Sequence, residues 1–396
     1  MRLIHTADWH LGRLFYNVHL TRDQEQVLEE LIELVREVRP AAVLVAGDLY
    51  DRAVPPTEAV ELLDHVSTEI VAGCGVPLIA IAGNHDSAVR LGFGSALLRA
   101  QGLHLVGELQ PQPSPVALED EHGPLYVHAL PFADPAEARH AYGDDGLHDQ
   151  QAVAAAGVAR ALAATPAGAR RVAVAHAFVA GGRESESERP LSVGGGAQVS
   201  AAAFDGFDYV ALGHLHRPQT CGRETVRYAG SLMKYSFAEH DHAKSVSVVE
   251  IGAPGGAAGA AGAAARARVT VETVALSPPR DVRRLEGTLA ELLRQGANDP
   301  RRDDYVLAAL LDKGALLDPI GRLRAAYPNA LAIERPLYEQ TGADGAARPR
   351  PGAVADLDLF DAFFGYVSGD ALSDAQRTQL AAVIDGLERA RREGRP

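Results

Sequence analysis

Short runs of aliphatic and β-branched residues recur along residues 1–250, each closed by glycine or a polar group. Leu3-Ile4 opens the first, and others lie at residues 42–46, 78–82, 172–175 and 209–212. They are continuous rather than alternating, which predicts strands buried on both faces with helices above and below. Between the first two runs, Val27, Leu28, Leu31, Ile32, Val35 and Val38 form one apolar stripe at helical spacing, predicting a helix over Thr21–Val38. Thr21 with Gln24 matches a capping box, and Pro40 ends the helix. The pattern is that of a layered α/β unit.

Further along, two strands are predicted at Ser245–Ile251 and Val269–Ala275, joined by an Ala- and Gly-rich loop at residues 252–265. After Pro278-Pro279 the pattern shortens into a compact α+β unit: helix 282–293, strand 305–311, helix 319–327 and strand 330–333. A Gly-, Pro- and Ala-rich linker at residues 341–352 precedes two helices. The first carries Leu357, Leu359, Phe360, Phe363, Phe364 and Val367. The second opens on Ser373 and Gln376, another capping box, and carries Leu380, Val383, Ile384 and Leu387. The expected domains are therefore 1–277, 278–338 and 353–396, with no internal repeat.

Composition narrows the class. With 396 residues, 47% of them hydrophobic, the chain can bury large cores and is not globally disordered. The N-terminus lacks the apolar run of a signal peptide, and no stretch of about 18 apolar residues occurs. Cys74 and Cys221 are too few and too far apart for a disulfide framework or a thiolate zinc site. A soluble, cytoplasmic protein with no membrane association is expected. The net charge of −14 runs against the basic footprint of nucleic-acid binders. Any such footprint must be local, and the stretch holding Arg217, Arg223, Arg227 and Lys234 against Glu224 alone is the candidate.

The chemistry lies where the strands stop. The first run ends in Asp8-Trp9-His10, the second in Gly47-Asp48, the third in Gly83-Asn84-His85-Asp86, the fourth in His176, and the fifth in Gly213-His214-Leu215-His216. Ligands of open α/β sheets bind beyond the carboxyl ends of strands, so Asp8, His10, Asp48, Asn84, His176, His214 and His216 can converge. On extended backbone, D-x-H and H-x-H put two side chains on one side and turn Trp9 and Leu215 away. Gly47, Gly83 and Gly213 would let the chain turn beside the site. Seven such groups exceed the needs of one metal, and two metals with Asp48 bridging is the economical reading. Imidazole, carboxylate and amide donors without thiolate suit manganese or iron, leave zinc open and are less apt for magnesium. Two such ions clamp a phosphate, activate a water and stabilise the leaving oxygen.

These motifs, in this order, resemble the calcineurin-like metallophosphoesterase superfamily. The segments HTADWHLGRLFY, VLVAGDLYDRAVPP, SESERPLSVGG, FDYVALGHLHRPQ and RYAGSLMKYSF, then LRAAYPNALAIERP and LFDAFFGYVSGDALSDAQR, are similar to the SbcD-type nuclease subunits over nearly the whole chain. The resemblance implies a β-sandwich flanked by helices, a small α+β capping domain and a C-terminal helical segment. It assigns Asp8, His10, Asp48 and His216 to one metal, and Asp48, Asn84, His176 and His214 to the other. His85 becomes the proton donor to the leaving oxygen or a stabiliser of the transition state; its pairing with Asp51 or Asp86 is our own expectation, not part of the resemblance. Some relatives carry a further histidine where this chain has Asp51. Arg13, Phe15 and Tyr16 follow D-x-H and either touch substrate or pack.

The implied activity is a manganese-dependent DNA nuclease, a 3′→5′ exonuclease on duplex ends and an endonuclease on single strands. Such a nuclease processes ends and hairpins in repair, recombination and replication, in association with the nucleoid. The implied partners are DNA, an SbcC-type SMC-like ATPase docked through Phe360, Phe363 and Phe364 in a heterotetramer, and a second copy of the chain through residues 58–70. Those phenylalanines alternatively close the chain's own core. The competing functions are a small-substrate phosphodiesterase or protein phosphatase on the same scaffold, and a non-catalytic adaptor for an ATPase.

Overall fold

A computed structural model describes residues 1–188, 191, 197–254, 266–336, 356–368 and 371–392. The linker at 341–352, most of the Ala-Gly tract and part of SESERPLSVGG lie outside these residues. The chain divides into two units, Met1–Asp281 and Val282–Pro396.

The first unit is built on two six-stranded sheets. One contains β1 (Arg2–Thr6), β2 (Ala42–Val45), β3 (Leu78–Ile81), β4 (Leu103–Val106) and the later pair β11 (Ser245–Ile251) and β12 (Val269–Ala275). Its order is β12-β11-β1-β2-β3-β4. The strands from β1 to β4 are parallel, and β11 joins β1 antiparallel, Ile4 lying opposite Val248. The other sheet contains β5 (Val116–Asp120), β6 (Gly123–Leu130), β7 (Arg170–His176), β8 (Tyr209–Gly213), β9 (Gln219–Cys221) and β10 (Arg223–Tyr228), in the order β9-β10-β8-β7-β6-β5. Its centre, β6-β7-β8-β10, is parallel.

One core holds Leu3, Leu44, Ile79 and Ile81 of the first sheet together with Val127, Val172, Val174 and Ala211 of the second. A second core, with Val210, Leu212, Phe204 and Phe207, takes the alternate residues of β8 and includes Val158 and Ala161 of a helix at Gln150–Ala163. Successive side chains of β8 thus enter different cores, which is why the apolar runs are continuous. Apolar burial at about 25 cal/mol per Å² is what holds the layers together.

Helix α1 spans Thr21–Val38, and its predicted stripe from Val27 to Val35 is buried. The capping box is not formed. Leu20 occupies the N-cap position, no side chain caps the helix, and Gln24 faces the core. The helix ends as Arg39 turns left-handed (φ 47°) just before Pro40.

In the second unit, the segment expected as a helix from residue 282 is a strand to Gly287, with a helix over Leu289–Gly296. Val282 and Gly287 are buried in the strand, and Thr288 with Glu291 forms the capping box that starts the helix. The strand pairs in parallel with Tyr305–Leu310, which pairs in parallel with Ala330–Glu334. Leu292, Val306, Leu310, Leu323 and Tyr327 fill the small core. Helices span Asp356–Ser368 and Asp374–Arg392, the second opened by the Ser373–Gln376 capping box. Among the described residues no helix is long and apolar enough to cross a membrane, and both cysteines are free.

Candidate metal centre

The carboxyl ends of β1, β2, β3, β7 and β8 bring all seven strand-end residues into one cluster. Register places Gly213 opposite His176 on neighbouring strands, so the fourth and fifth motifs start side by side. Asp48 sits centrally: its Oδ2 lies 3.7 Å from His10 Nε2 on one side and 3.5 Å from His176 Nε2 on the other. His10 Nε2 faces His216 Nε2 at 3.1 Å. On the other side, Asn84 Oδ1 lies 2.8 Å from His176 Nε2, and the His214 ring packs edge-on to His176 with centroids 5.4 Å apart. Asp8 Oδ1 accepts the His214 amide at 2.9 Å. The ligating atoms of Asp8, Asp48 and His176 all lie within 4.8 Å of one another, as do those of His10, Asp51 and His85.

The backbone that achieves this is not extended, contrary to the spacing argument. Asp8 (φ 53°), His10 (φ 46°), Asp48 (φ 49°) and His214 (φ 106°) all lie in the left-handed region, where a non-glycine residue costs on the order of 1–3 kcal/mol. Trp9 and Leu215 are nevertheless buried as expected, and Trp9 Nε1 donates to Thr6 Oγ1 at 3.0 Å. Of the three glycines, Gly47 alone has a positive φ, at 90°. Gly83 and Gly213 are required for closeness: a Cβ on Gly83 would stand 2.1 Å from Asp48 Oδ1, and on Gly213 1.8 Å from the Ala46 oxygen.

Residues outside the motifs hold these turns. Gln24 Nε2 donates to the main-chain oxygens of Trp9 (3.0 Å) and His10 (2.8 Å) and meets the Tyr235 hydroxyl at 3.1 Å. Its Oε1 accepts the Gly12 amide at 3.1 Å. Tyr235 donates to the Trp9 oxygen and stacks edge-on against His10 and His216. Asp86 accepts the amides of Leu49, Tyr50 and Gly83, binding the second loop to the third. Its pKa is pushed up to about 7, first by burial and then by the Asp48 charge. His85 therefore pairs with neither carboxylate; its Nδ1 lies 2.8 Å from the main-chain oxygen of Asp51. The Asp51 carboxylate instead binds Arg13 at 2.7 Å. Phe15 is buried and packs on Phe237, whereas Tyr16 is exposed.

The basic stretch is not a free patch. Arg217 pairs with Asp241 and Lys234 with Asp281. Arg223 is spent on the carbonyls of Phe204 and Phe207, and Arg227 reaches Thr273.

The donor set fits divalent cations. Asp8 Oδ2 and His10 Nδ1 are buried with no hydrogen-bond partner, an arrangement that is costly unless something else satisfies them. His176 Nδ1 is engaged by the Ala46 oxygen at 2.9 Å, leaving Nε2 for the cluster. Burial, then the neighbouring rings of His216 and His85, hold His10 well below its ordinary value. Burial and then His176 do the same to His214. Both are thus neutral imidazoles, the ligating form. Asp8 is pushed well up by burial and by Asp48, a repulsion that a bound cation would relieve.

A family model described as calcineurin-like phosphoesterase matches residues 1–218, spanning all five motifs. The chain belongs to that family. It is a metal-dependent phosphoesterase, with divalent ions as its cofactors. A second model, described as type 5 capsule protein repressor C-terminal domain, matches residues 278–366. The SbcD subunit of the SbcCD nuclease from Staphylococcus saprophyticus is 29% identical over 387 residues, covering 98% of each chain. Among solved structures, a protein of Thermus thermophilus matches at 13% identity and TM-score 0.35, covering 62% of this chain and 92% of its own. A dimetal phosphatase from Danio rerio matches at 14% identity and TM-score 0.35, over 70% and 99%.

Proposed function

We propose that this phosphoesterase is the nuclease subunit of an SbcCD-type complex, hydrolysing DNA phosphodiesters with two ions, manganese being the expected metal. The observation that carries the chemistry is Asp48, set between a His10–His216 pair and an Asn84–His176–His214 group. In this reading Asp8, His10, Asp48 and His216 hold one ion and Asp48, Asn84, His176 and His214 the other. When bound, the ions polarise the phosphate and generate the nucleophile. His85, tethered through Nδ1, has Nε2 as the nitrogen that would pass a proton to the leaving sugar oxygen. The substrate assignment is supported by the end-to-end likeness to the staphylococcal nuclease subunit.

Partner docking has its own support. In the C-terminal helices Leu359, Phe360, Phe363, Val383 and Leu387 are exposed, an apolar row suited to the coiled coil of an SbcC-type ATPase. The alternative, that these aromatics close the chain's own core, loses ground with Phe363 58% exposed. In the first unit a groove of about 600 Å³ lined by Tyr50, Val54, Val60, Leu63 and Phe93 supports a second copy packing against the helix Thr57–Thr68. Two copies of each subunit would form the heterotetramer.

The test is cleavage of a linear duplex, a hairpin, a cyclic nucleotide and a generic phosphate ester with manganese, with and without the co-expressed ATPase. The nuclease reading expects end-dependent DNA cleavage, read by strand-specific labels for 3′→5′ polarity and stimulated by ATP in the complex. Hydrolysis of the small esters alone would transfer the assignment to a small-substrate phosphodiesterase. A metal-free, inert protein that still binds the ATPase would make it an adaptor.

A further inference from the structure

A buried polar group that belongs to none of the strand-end motifs lies against His216. His216 Nδ1 is 3.1 Å from Glu239 Oε1 and 2.9 Å from Ser187 Oγ, and Ser187 also donates to Glu239. Glu239 is fully buried. Its Oε2 is gripped by the ammonium of Lys244, itself buried, which also donates to the His216 main-chain oxygen and to Ser231 Oγ, each at 2.8 Å. Tyr235 adds its amide to Glu239 Oε1 at 3.3 Å.

A buried carboxylate–ammonium pair is weak as a stabilising device, because desolvation offsets most of the attraction. This one holds a histidine at both ends, Glu239 on the ring and Lys244 on the main chain. We propose that Glu239, seated on Lys244, is a positioning residue that fixes His216 as the Nδ1–H tautomer and presents its Nε2 to the metal centre. A carboxylate behind a ligating imidazole orients the ring and raises its donor strength. With the proton on Nδ1, the Nε2 lone pair faces His10 across 3.1 Å. The inference rests on reading His216 as a ligand.

Manganese titration of the full chain by calorimetry tests it, together with imidazole ¹⁵N shifts of the metal-free protein, the His216 signals being assigned with a His216→Ala variant. The parent is expected to carry the His216 proton on Nδ1. Glu239→Ala should mix the tautomers and weaken one of two ions about 10–100-fold, leaving the other unchanged, while Glu239→Gln, which keeps an acceptor, recovers most of the loss. A lowered unfolding temperature in Glu239→Ala with unchanged tautomer and affinity would overturn the proposal, as would an Nε2–H proton in the parent. The parent measurement stands even if Glu239→Ala does not fold. Should His216→Ala keep both ions at parental affinity, the ligand reading itself fails; should it lose one while Glu239→Ala loses none, only the positioning role fails.

Discussion

The His85 ring hangs by Nδ1 from the main-chain oxygen of Asp51, 2.8 Å away, and meets the His10 ring edge-on with centroids 4.7 Å apart. A backbone acceptor makes this anchorage independent of the Asp51 side chain. His85→Ala is expected to keep both metal ions and lower kcat by about 10²–10⁴, the range of general acid–base contributions. Asp51→Asn, which keeps the main-chain oxygen and loses the Arg13 ion pair, should retain far more activity than His85→Ala. Metal content by mass spectrometry and single-turnover cleavage check both, and full activity in His85→Ala removes the proton-donor role.

Gln24 sustains the Trp9–Gly12 turn through four partners. Gln24→Ala leaves buried groups unmatched, which costs about 1–3 kcal/mol for each that finds no water. Urea denaturation should show a loss on the order of 3 kcal/mol, and the ion nearest His10 should bind more weakly. An unchanged midpoint would mean that the left-handed turn holds itself.

Burial and then the Asp48 charge push the Asp8 carboxyl up, and a cation held by both, as proposed, would relieve the repulsion. Adding manganese to chelator-treated protein should raise Tm, by the equivalent of about 2.7 kcal/mol at a hundredfold excess over Kd. Asp48→Asn should abolish that rise without lowering the Tm of the metal-free protein. Calorimetry with and without EDTA decides it.

Away from the site, Arg170 is buried and binds Asp120 through both terminal nitrogens. The guanidinium beside Asp120 holds its carboxyl well below the usual carboxylate range. A depressed carboxylate stabilises the fold above its unfolded value of about 3.9 and loses that contribution as pH falls through the folded value. Asp120→Asn should therefore cost about 1.5–3 kcal/mol at pH 7, the range for hydrogen bonds to a charged group, and the gap to the parent should narrow steadily below about pH 4. A gap independent of pH would assign the loss to packing.

What was legible beforehand was whatever a local pattern encodes. The stripe of α1 and the pair Ser245–Ile251 and Val269–Ala275 follow from burial of a repeated face, and their bounds agree with expectation. Residues 282–287 misled because Val282, Leu285 and Leu289 fit a helical face as well as a strand; the Thr288–Glu291 box marked the true start. The strand-end motifs located the cluster, but not the left-handed turns that bend Asp8, His10 and His214 inward. Gln24 looked like a cap because its partner Tyr235 is 211 residues away. Glu239 and Lys244 carry no spacing signal, since only the closed sandwich brings them to His216.

The cluster draws on Asp8, Asp48 and Asn84 from one sheet and on His176, His214 and His216 from the other. During synthesis the early half of this proposed ligand set leaves the ribosome long before the late half. A chain stopped after β4 holds Asp8, Asp48 and Asn84 but, of the four histidines in the set, His10 alone. On that assignment, metal loading would be a late event that requires both sheets, and a half-made chain would lack a competent hydrolytic centre.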